Sequence, residues 1–74
     1  MEITDGPNKE SLLKAFGERQ RIIVMLEGKN QPLIINRLEY EDGSGNSFNF
    51  VTKRGATGNY NTQTKQGTFS PPKN

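Results

Sequence analysis

The sequence predicts a mainly β protein: a small, strongly bent antiparallel barrel with one short helix near its N-terminus. The chain has 74 residues, of which 30% are hydrophobic, and this is the size of one domain with a small core. Short runs rich in β-branched and aromatic residues alternate with Gly- and Asn-rich turn sequences, as strands and turns do. One long predicted strand changes its apolar face midway, which is typical of strands that bend around a barrel.

A short helix is predicted over about residues 8–16. Asn8 has the side chain of a helix N-cap, since its oxygen can accept a hydrogen bond from the first turn. Gly17 is the expected end of the helix, because glycine readily adopts the left-handed conformation that follows helices. Residues 1–7 are expected to be irregular. The helix would bury an apolar stripe formed by Leu12, Leu13 and Phe16.

The first predicted strand, about residues 21–27, indicates that the protein assembles. It contains an unbroken apolar run from Ile22 to Leu26, and such a run is typical of a strand covered on both faces. A chain of this length has little else to provide the second cover, so we expect a neighbouring subunit to supply it. The sequence therefore predicts a homo-oligomer.

The second predicted strand, about residues 33–41, carries the change of face. Leu33 and Ile35 lie on one side of it, whereas Leu38 and Tyr40 lie on the other, and a bend or bulge is expected between the pairs. A turn precedes this strand at Gly28 to Gln31, and Pro32 is expected to begin it.

Asp42 to Asn46 give the clearest turn in the chain, before a third strand over about residues 47–52. Weaker strands are expected after residue 58. The barrel is expected to occupy residues 1–70 as one domain, and residues 71–74 are expected to form a disordered tail.

The charge distribution indicates an anionic partner. The net charge is +2, and all 8 acidic residues lie at or before Asp42. The segment that follows contains only cations among its charged residues, which are Lys53, Arg54, Lys65 and Lys73. A basic C-terminal half of this kind favours binding to a polyanion.

The composition excludes several classes of chemistry. Cys and His are both absent, which excludes disulfides, thiolate or imidazole metal sites, and Cys/His or Ser/His nucleophilic catalysis. Asp42, Ser44 and Asn46 alternate as in calcium loops, but the closing Glu of such a loop is replaced by Lys53, so a plain turn is favoured. We expect a protein that is not an enzyme and that has no cofactor and no metal. Without a membrane span or a signal sequence, we expect it to be cytoplasmic.

The segment VMLEGKNQPLIINRLEYEDGSGNSFNF resembles the first motif of the Sm-like family, which includes the bacterial host-factor branch. The similarity lies in the hydrophobic spacing, the Gly after the first strand, and the acid and Asn of the third loop, Asp42 and Asn46. KRG at Lys53–Gly55 is similar to the Arg-Gly step of the family's second motif. The resemblance covers about residues 10–55. It implies a five-stranded Sm-like or SH3-like barrel that forms rings and binds single-stranded RNA.

Six residues are the candidate RNA contacts: Asp42, Asn46, Phe48, Lys53, Arg54 and Tyr60. The resemblance selects the two loops, and the aromatic rings next to cations are typical of single-strand binders. Phe48 and Phe50 share a face, and core packing is favoured for Phe50. Tyr60, between two asparagines, is equally consistent with base stacking and with a place inside the barrel. Arg21 and Arg37 are expected to form structural ion pairs with Glu27, Glu39 or Glu41.

The predicted function is binding of single-stranded RNA by a homo-oligomeric ring. The alternative is a protein-interaction module, such as an accessory factor of a phage or plasmid, that docks on a host protein through an exposed strand edge and the polar C-terminal segment. Salt separates these alternatives, because phosphate contacts weaken steeply as ionic strength rises, whereas strand addition does not.

Overall fold

The computed structural model describes residues 1–72, which form one helix and six strands. In chain order these are β1 (Glu2–Asp5), α1 (Lys9–Glu18), β2 (Arg21–Leu26), β3 (Lys29–Tyr40), β4 (Ser47–Thr52), β5 (Thr57–Asn61) and β6 (Gln66–Ser70). The strands pair antiparallel in sequence order, and β1 also pairs with β6, so that the barrel is closed. The prediction of a mainly β antiparallel barrel with one short helix is confirmed.

The strand β1 corrects the prediction that residues 1–7 are irregular. Ile3 is the only apolar residue within this strand, so the sequence contains no alternating pattern to mark it. Pairing provides what the local pattern lacks: Ile3 lies opposite Leu26 of β2 and Gly67 of β6, and its side chain is 1% exposed. The barrel therefore has six strands within the described residues, compared with the five that the Sm-like resemblance implies.

The helix begins as predicted and ends later than predicted. The side chain of Asn8 accepts a hydrogen bond from the Ser11 N–H at 2.8 Å, which confirms Asn8 as the N-cap. The helix continues through Gly17 to Glu18, and Arg19 adopts the left-handed conformation with φ of 55°. Hydrogen bonds close this end, because the N–H groups of Arg19 and Gln20 reach the last-turn carbonyls. The prediction that Gly17 ends the helix is wrong.

The face that α1 buries differs by one position from the predicted stripe. Leu12 and Ala15 are buried and Phe16 packs against the core, as one helical face requires. Leu13 is 37% exposed, since it lies about 100° around the helix from Leu12. The prediction that Leu13 is buried is wrong.

The strand β2 has one covered face in the single chain. Ile22, Val24 and Leu26 point into the core, whereas Ile23 is 52% exposed and Met25 is half-buried on the outer face. The side chains of the apolar run thus alternate between the core and the outer face, as in any strand, and the residues on the outer face happen to be apolar as well. The expectation that a neighbouring subunit covers the outer face stays a prediction.

The connection from β2 to β3 is tighter than predicted. It consists of two residues, Glu27 and Gly28, with φ of 51° and 79°, and β3 begins directly at Lys29. Positive φ at both central positions is the mark of a type I′ hairpin turn. Pro32 therefore lies within β3 rather than at its start.

The bend predicted in β3 is confirmed. The first half of β3, from Lys29 to Ile34, pairs with β2. The second half pairs with β4, and the register shifts between Ile35 and Arg37. One strand thereby serves two sides of the barrel. No strand among residues 1–72 pairs with the other edge of Lys29 to Ile34, and we call this the free edge of β3.

The core fills the barrel and extends to the helix. Its largest side chains include Phe48, Phe50, Tyr60 and Phe69. Glycines make room for them: a Cβ added to Gly58 would collide with the carbonyl oxygen of Thr68 and with the ring of Phe50.

Pro71 and Pro72 follow β6 without regular structure, whereas Lys73 and Asn74, the rest of the predicted tail, lie outside the described residues. No helix in the described part of the chain is both long enough and apolar enough to cross a membrane.

Candidate nucleic-acid interface

The structure divides the predicted site residues between the two ends of β4. Asp42 and Asn46 belong to the β3–β4 turn, whereas Lys53 and Arg54 belong to the β4–β5 turn. The six residues of β4 lie between these turns, and at about 3.4 Å per residue they separate the pairs by roughly 20 Å. The two pairs therefore lie at opposite ends of this strand.

The two aromatic candidates lie inside the barrel. The exposed fraction is 1% for Phe48 and 3% for Tyr60, and the residues are cross-strand partners on β4 and β5. The Tyr60 hydroxyl donates a hydrogen bond to the Pro7 carbonyl oxygen at 2.8 Å. Burial raises the pKa of Tyr60 to about 12, with a smaller contribution from the negative charge of Asp5. Neither ring is accessible to a nucleic-acid base in this structure, and Phe50 is likewise part of the core.

The β3–β4 turn is held by its own side chains. The Asp42 carboxylate accepts hydrogen bonds from the Ser44 hydroxyl at 2.6 Å and from the Ser44 N–H at 2.9 Å, and these bonds lower the pKa of Asp42. The Asn46 carbonyl accepts from the Thr62 N–H at 2.8 Å, which joins this turn to the β5–β6 turn. In the described residues no group of three or more acidic side chains is arranged to hold a metal ion. The polar groups of this turn thus have structural partners.

Lys53 and Arg54 lie instead at a cleft of about 560 Å³. Four of its lining residues are exposed cations: Arg21, Lys29, Lys53 and Arg54. Its floor is apolar and includes Leu26, Leu33, Ala56 and Phe69, with Pro71 and Pro72 at one side. No acidic residue is found among the described residues that line it. We call this feature the basic cleft.

The pairing of β3 with β2 and β4 explains why these residues line one cleft. Arg21 lies opposite Ile34 at one end of the β2–β3 pairing, and Lys29 lies at the other end, next to the tight turn. The β4–β5 turn is fastened to the same stretch, because the Lys53 N–H donates to the Ile34 carbonyl oxygen at 2.8 Å. The Thr52 hydroxyl accepts from the Ala56 N–H at 3.0 Å and holds that turn in shape. Cations from three segments are thus positioned around the first half of β3.

Two of these four cations were not predicted as site residues. Arg21 was expected to form an ion pair, but it forms none with any residue in the range 1–72. Lys29 was assigned to a turn. Neither lies near Lys53 and Arg54 in sequence, and only strand pairing places all four residues around one cleft. The separation of Asp42 from Lys53, in contrast, follows from the predicted strand order, since consecutive turns flank one strand at opposite ends.

No family model, curated protein or solved structure matched the chain in the three comparisons. The Sm-like resemblance therefore rests on the sequence pattern, and the function is argued from the geometry of the cleft.

Proposed function

We propose that the protein is an Sm-like module that binds single-stranded RNA in the basic cleft and acts as a homo-oligomer. The observation that carries the proposal is the convergence of Arg21, Lys29, Lys53 and Arg54 on one cleft whose described lining has no acidic residue. Cations on a common surface bind a phosphate backbone and release its counterions. The apolar floor provides a surface for sugars and bases next to these cations.

A single strand is the form of nucleic acid that best fits the cleft. The cations lie at strand ends and turns, and α1, the helix of the described chain, carries Lys9 and Lys14 together with Glu10 and Glu18. A helix with this mixed charge is a poor candidate for the major groove of duplex DNA. An unpaired strand can place its bases against the apolar floor of the cleft, which the paired and stacked bases of a duplex cannot do.

Support for assembly comes from the outer face of the β2–β3 hairpin. Ile23 is exposed, Met25 on the same face of β2 is half-buried, and neither residue lines the basic cleft. We call these two residues the hairpin patch. Burial of such a patch between copies is worth about 25 cal/mol per Å² of apolar area. A ring or other homo-oligomer would repeat the cleft, so that several weak sites bind one RNA strand with high avidity.

The test is RNA affinity as a function of salt. A short fluorescent single-stranded RNA is titrated with the protein at several ionic strengths, and the dissociation constant is obtained from anisotropy. With about 0.7 of a counterion released per phosphate contact of a single strand, four contacts predict a slope of log affinity against log salt near about −3. Lys53→Ala and Arg54→Ala should each weaken binding and reduce the slope by about 0.7.

Lys14→Ala is the matched control, since Lys14 is an exposed cation on α1 that does not line the cleft. It should leave both affinity and slope close to those of the unmodified chain. Equal effects of the cleft and control substitutions would show that binding depends on overall charge, and the proposal would then be wrong.

The second candidate is a protein-interaction module, and the free edge of β3 is the observation that favours it. Exposed strand edges accept an extended peptide by adding a strand. Pro32 lies within this edge and has no N–H to donate, and proline at an edge is a usual device against strand addition. RNA is therefore the favoured ligand. Binding of a protein partner would show little dependence on salt.

A further inference from the structure

We infer that the free edge of β3 recognises the bases of the bound strand through backbone hydrogen bonds, while the four cations hold its phosphates. The inference rests on the proposed function and identifies the groups in the cleft that distinguish one base from another. Phosphate contacts position a nucleic acid but carry no sequence information, so base recognition requires separate donors and acceptors nearby.

The hairpin register identifies the backbone groups that face the cleft. In a hairpin with a two-residue turn, the closing pair exchanges hydrogen bonds, and bonded pairs then alternate with unbonded ones. Here Leu26↔Lys29 is the closing pair, so the residues of β3 at the unbonded positions are Asn30, Pro32 and Ile34. Their backbone groups point away from β2. The hydrogen bond from the Lys53 N–H to the Ile34 carbonyl oxygen, at 2.8 Å, agrees with this direction.

The edge offers an ordered set of groups. Asn30 presents an N–H and a carbonyl, Pro32 presents a carbonyl, and Ile34 presents an N–H. Successive positions are about 7 Å apart along the strand. The Gln31 side chain lies beside them, and its amide N–H donates a long hydrogen bond of 3.5 Å to the Pro32 carbonyl oxygen, which has a second lone pair for a base. Unpaired RNA bases expose donors and acceptors on their edges, which these fixed groups can bind.

Cations lie at both ends of this edge. Lys29 is its first residue, and Lys53 is hydrogen-bonded to its last residue, Ile34. A strand whose phosphates contact Lys29 and Lys53 must therefore pass along the intervening backbone groups. This arrangement suits bases better than a peptide. Bases can bind to separate donors and acceptors, whereas an added β-strand needs a continuous series of backbone hydrogen bonds, which Pro32 interrupts.

The test uses a proline that removes one backbone donor. In Asn30→Pro the outward N–H is lost without loss of a hydrogen bond to β2, and Asn30→Ala is the matched control that keeps the N–H. Affinities for single-stranded oligonucleotides of U, A and C, and for an RNA duplex, are compared at one salt concentration. Loss of one hydrogen bond is expected to weaken the preferred oligonucleotide about fivefold and to reduce the difference between bases. Asn30→Ala should behave as the unmodified chain.

A measurement on the unmodified chain covers the case in which Asn30→Pro does not fold. Addition of the preferred oligonucleotide should shift the amide NMR signals of Asn30 and Ile34 and slow their hydrogen exchange. Two outcomes would overturn the inference: unchanged NMR signals at both residues, or an unchanged base preference in a folded Asn30→Pro variant. The proposed function would still stand in either case if Lys53→Ala weakens RNA binding. If Lys53→Ala has no effect either, the proposed function itself fails. Binding of an acidic peptide but not of RNA would overturn both in favour of strand addition.

Discussion

Tyr60 connects the barrel to the segment that leads into α1. Its ring is part of the core, and its hydroxyl reaches the Pro7 carbonyl oxygen. Gly6 lies directly against the ring, and a Cβ added to Gly6 would lie 2.8 Å from the hydroxyl oxygen. One side chain therefore holds β5, the core and the turn after β1 together.

This environment predicts a dependence of stability on alkaline pH. The pKa of Tyr60 is about 12 in the folded chain, compared with an ordinary value of 10.0. Because the unfolded chain releases this proton more readily, the contribution of Tyr60 to the free energy of unfolding is complete below pH 10 and is lost as the pH rises toward 12. Tyr60→Phe should remove this part of the alkaline loss, and it should cost about 1 kcal/mol at neutral pH for the lost hydrogen bond.

Urea unfolding of the unmodified chain and of Tyr60→Phe, at neutral and at alkaline pH, measures the cost of the lost hydrogen bond and the alkaline loss of stability. Tyr40→Phe is the control, since Tyr40 is 57% exposed and the substitution leaves the hydroxyl of Tyr60 in place. The control should lose stability at alkaline pH as the unmodified chain does. If Tyr60→Phe loses as much as the control, the buried hydroxyl is not the cause.

At the scale of elements, the β2–β3 hairpin positions the edge on which the proposals depend. Its two-residue turn places Glu27 at φ of 51°, a conformation that is unfavourable for most residues with a side chain and favourable for Asn. Asn-Gly is the preferred sequence of this turn type. The hairpin therefore contains a removable source of strain.

Glu27→Asn is expected to raise the free energy of unfolding by about 0.5 to 1 kcal/mol. The urea midpoint should rise with an unchanged slope, since the folded surface stays the same. Glu39→Asn is the control because Glu39 is an exposed residue of β3 outside any turn. A midpoint for Glu27→Asn that is no higher than that of the control would contradict the explanation.

Local signals in the sequence account for the elements that were predicted correctly. Asn8 is a cap whose partner is three residues away, and the bend in β3 follows from the change of apolar face between Ile35 and Leu38. The strand β1 was not predictable in this way, because its partners are β2 and β6 and its own pattern is nearly absent.

The same distinction applies to the site. The charge pattern of the sequence predicts Lys53 and Arg54 as site residues, and both line the basic cleft. Arg21 and Lys29 join them only through the pairing of β2 with β3. Tyr60 has polar neighbours in the sequence, because an asparagine lies on each side of it. On a strand, however, these neighbours point to the opposite face, so they do not indicate where the Tyr60 side chain lies.

For the whole molecule, the two ends of the barrel differ in charge. The basic cleft is at the end that holds the β4–β5 turn. The end that holds the β3–β4 turn has mixed charge, because Glu41 and Asp42 lie there together with Lys9 and Lys65. An anionic ligand would thus be attracted to the end that holds the cleft. The exposed ion pair of Arg37 with Glu39, at 3.9 Å, contributes little to stability.

The hairpin patch gives the prediction for the whole assembly. Ile23→Lys inserts a charge at the exposed residue of the patch, and we expect it to convert a homo-oligomer to smaller species by burying an unpaired cation at the interface. Light scattering measures the mass of both chains at low and high salt. Leu13→Lys, on the exposed side of α1, should leave the mass unchanged. A monomer in the unmodified chain, or no change with Ile23→Lys, would contradict assembly through this surface.

The closure of the barrel by β1 has a consequence for biosynthesis. The strand β1 leaves the ribosome well before its partner β6, and the hydrogen bond from the Met1 amine to the Phe69 carbonyl oxygen spans 68 positions of sequence. The β2–β3 hairpin needs only neighbouring residues and can form early, but one edge of β1 stays unpaired until β6 has been translated. A premature stop before β6 would leave the edges of both β1 and β5 open, which makes shortened chains the species most prone to aggregate.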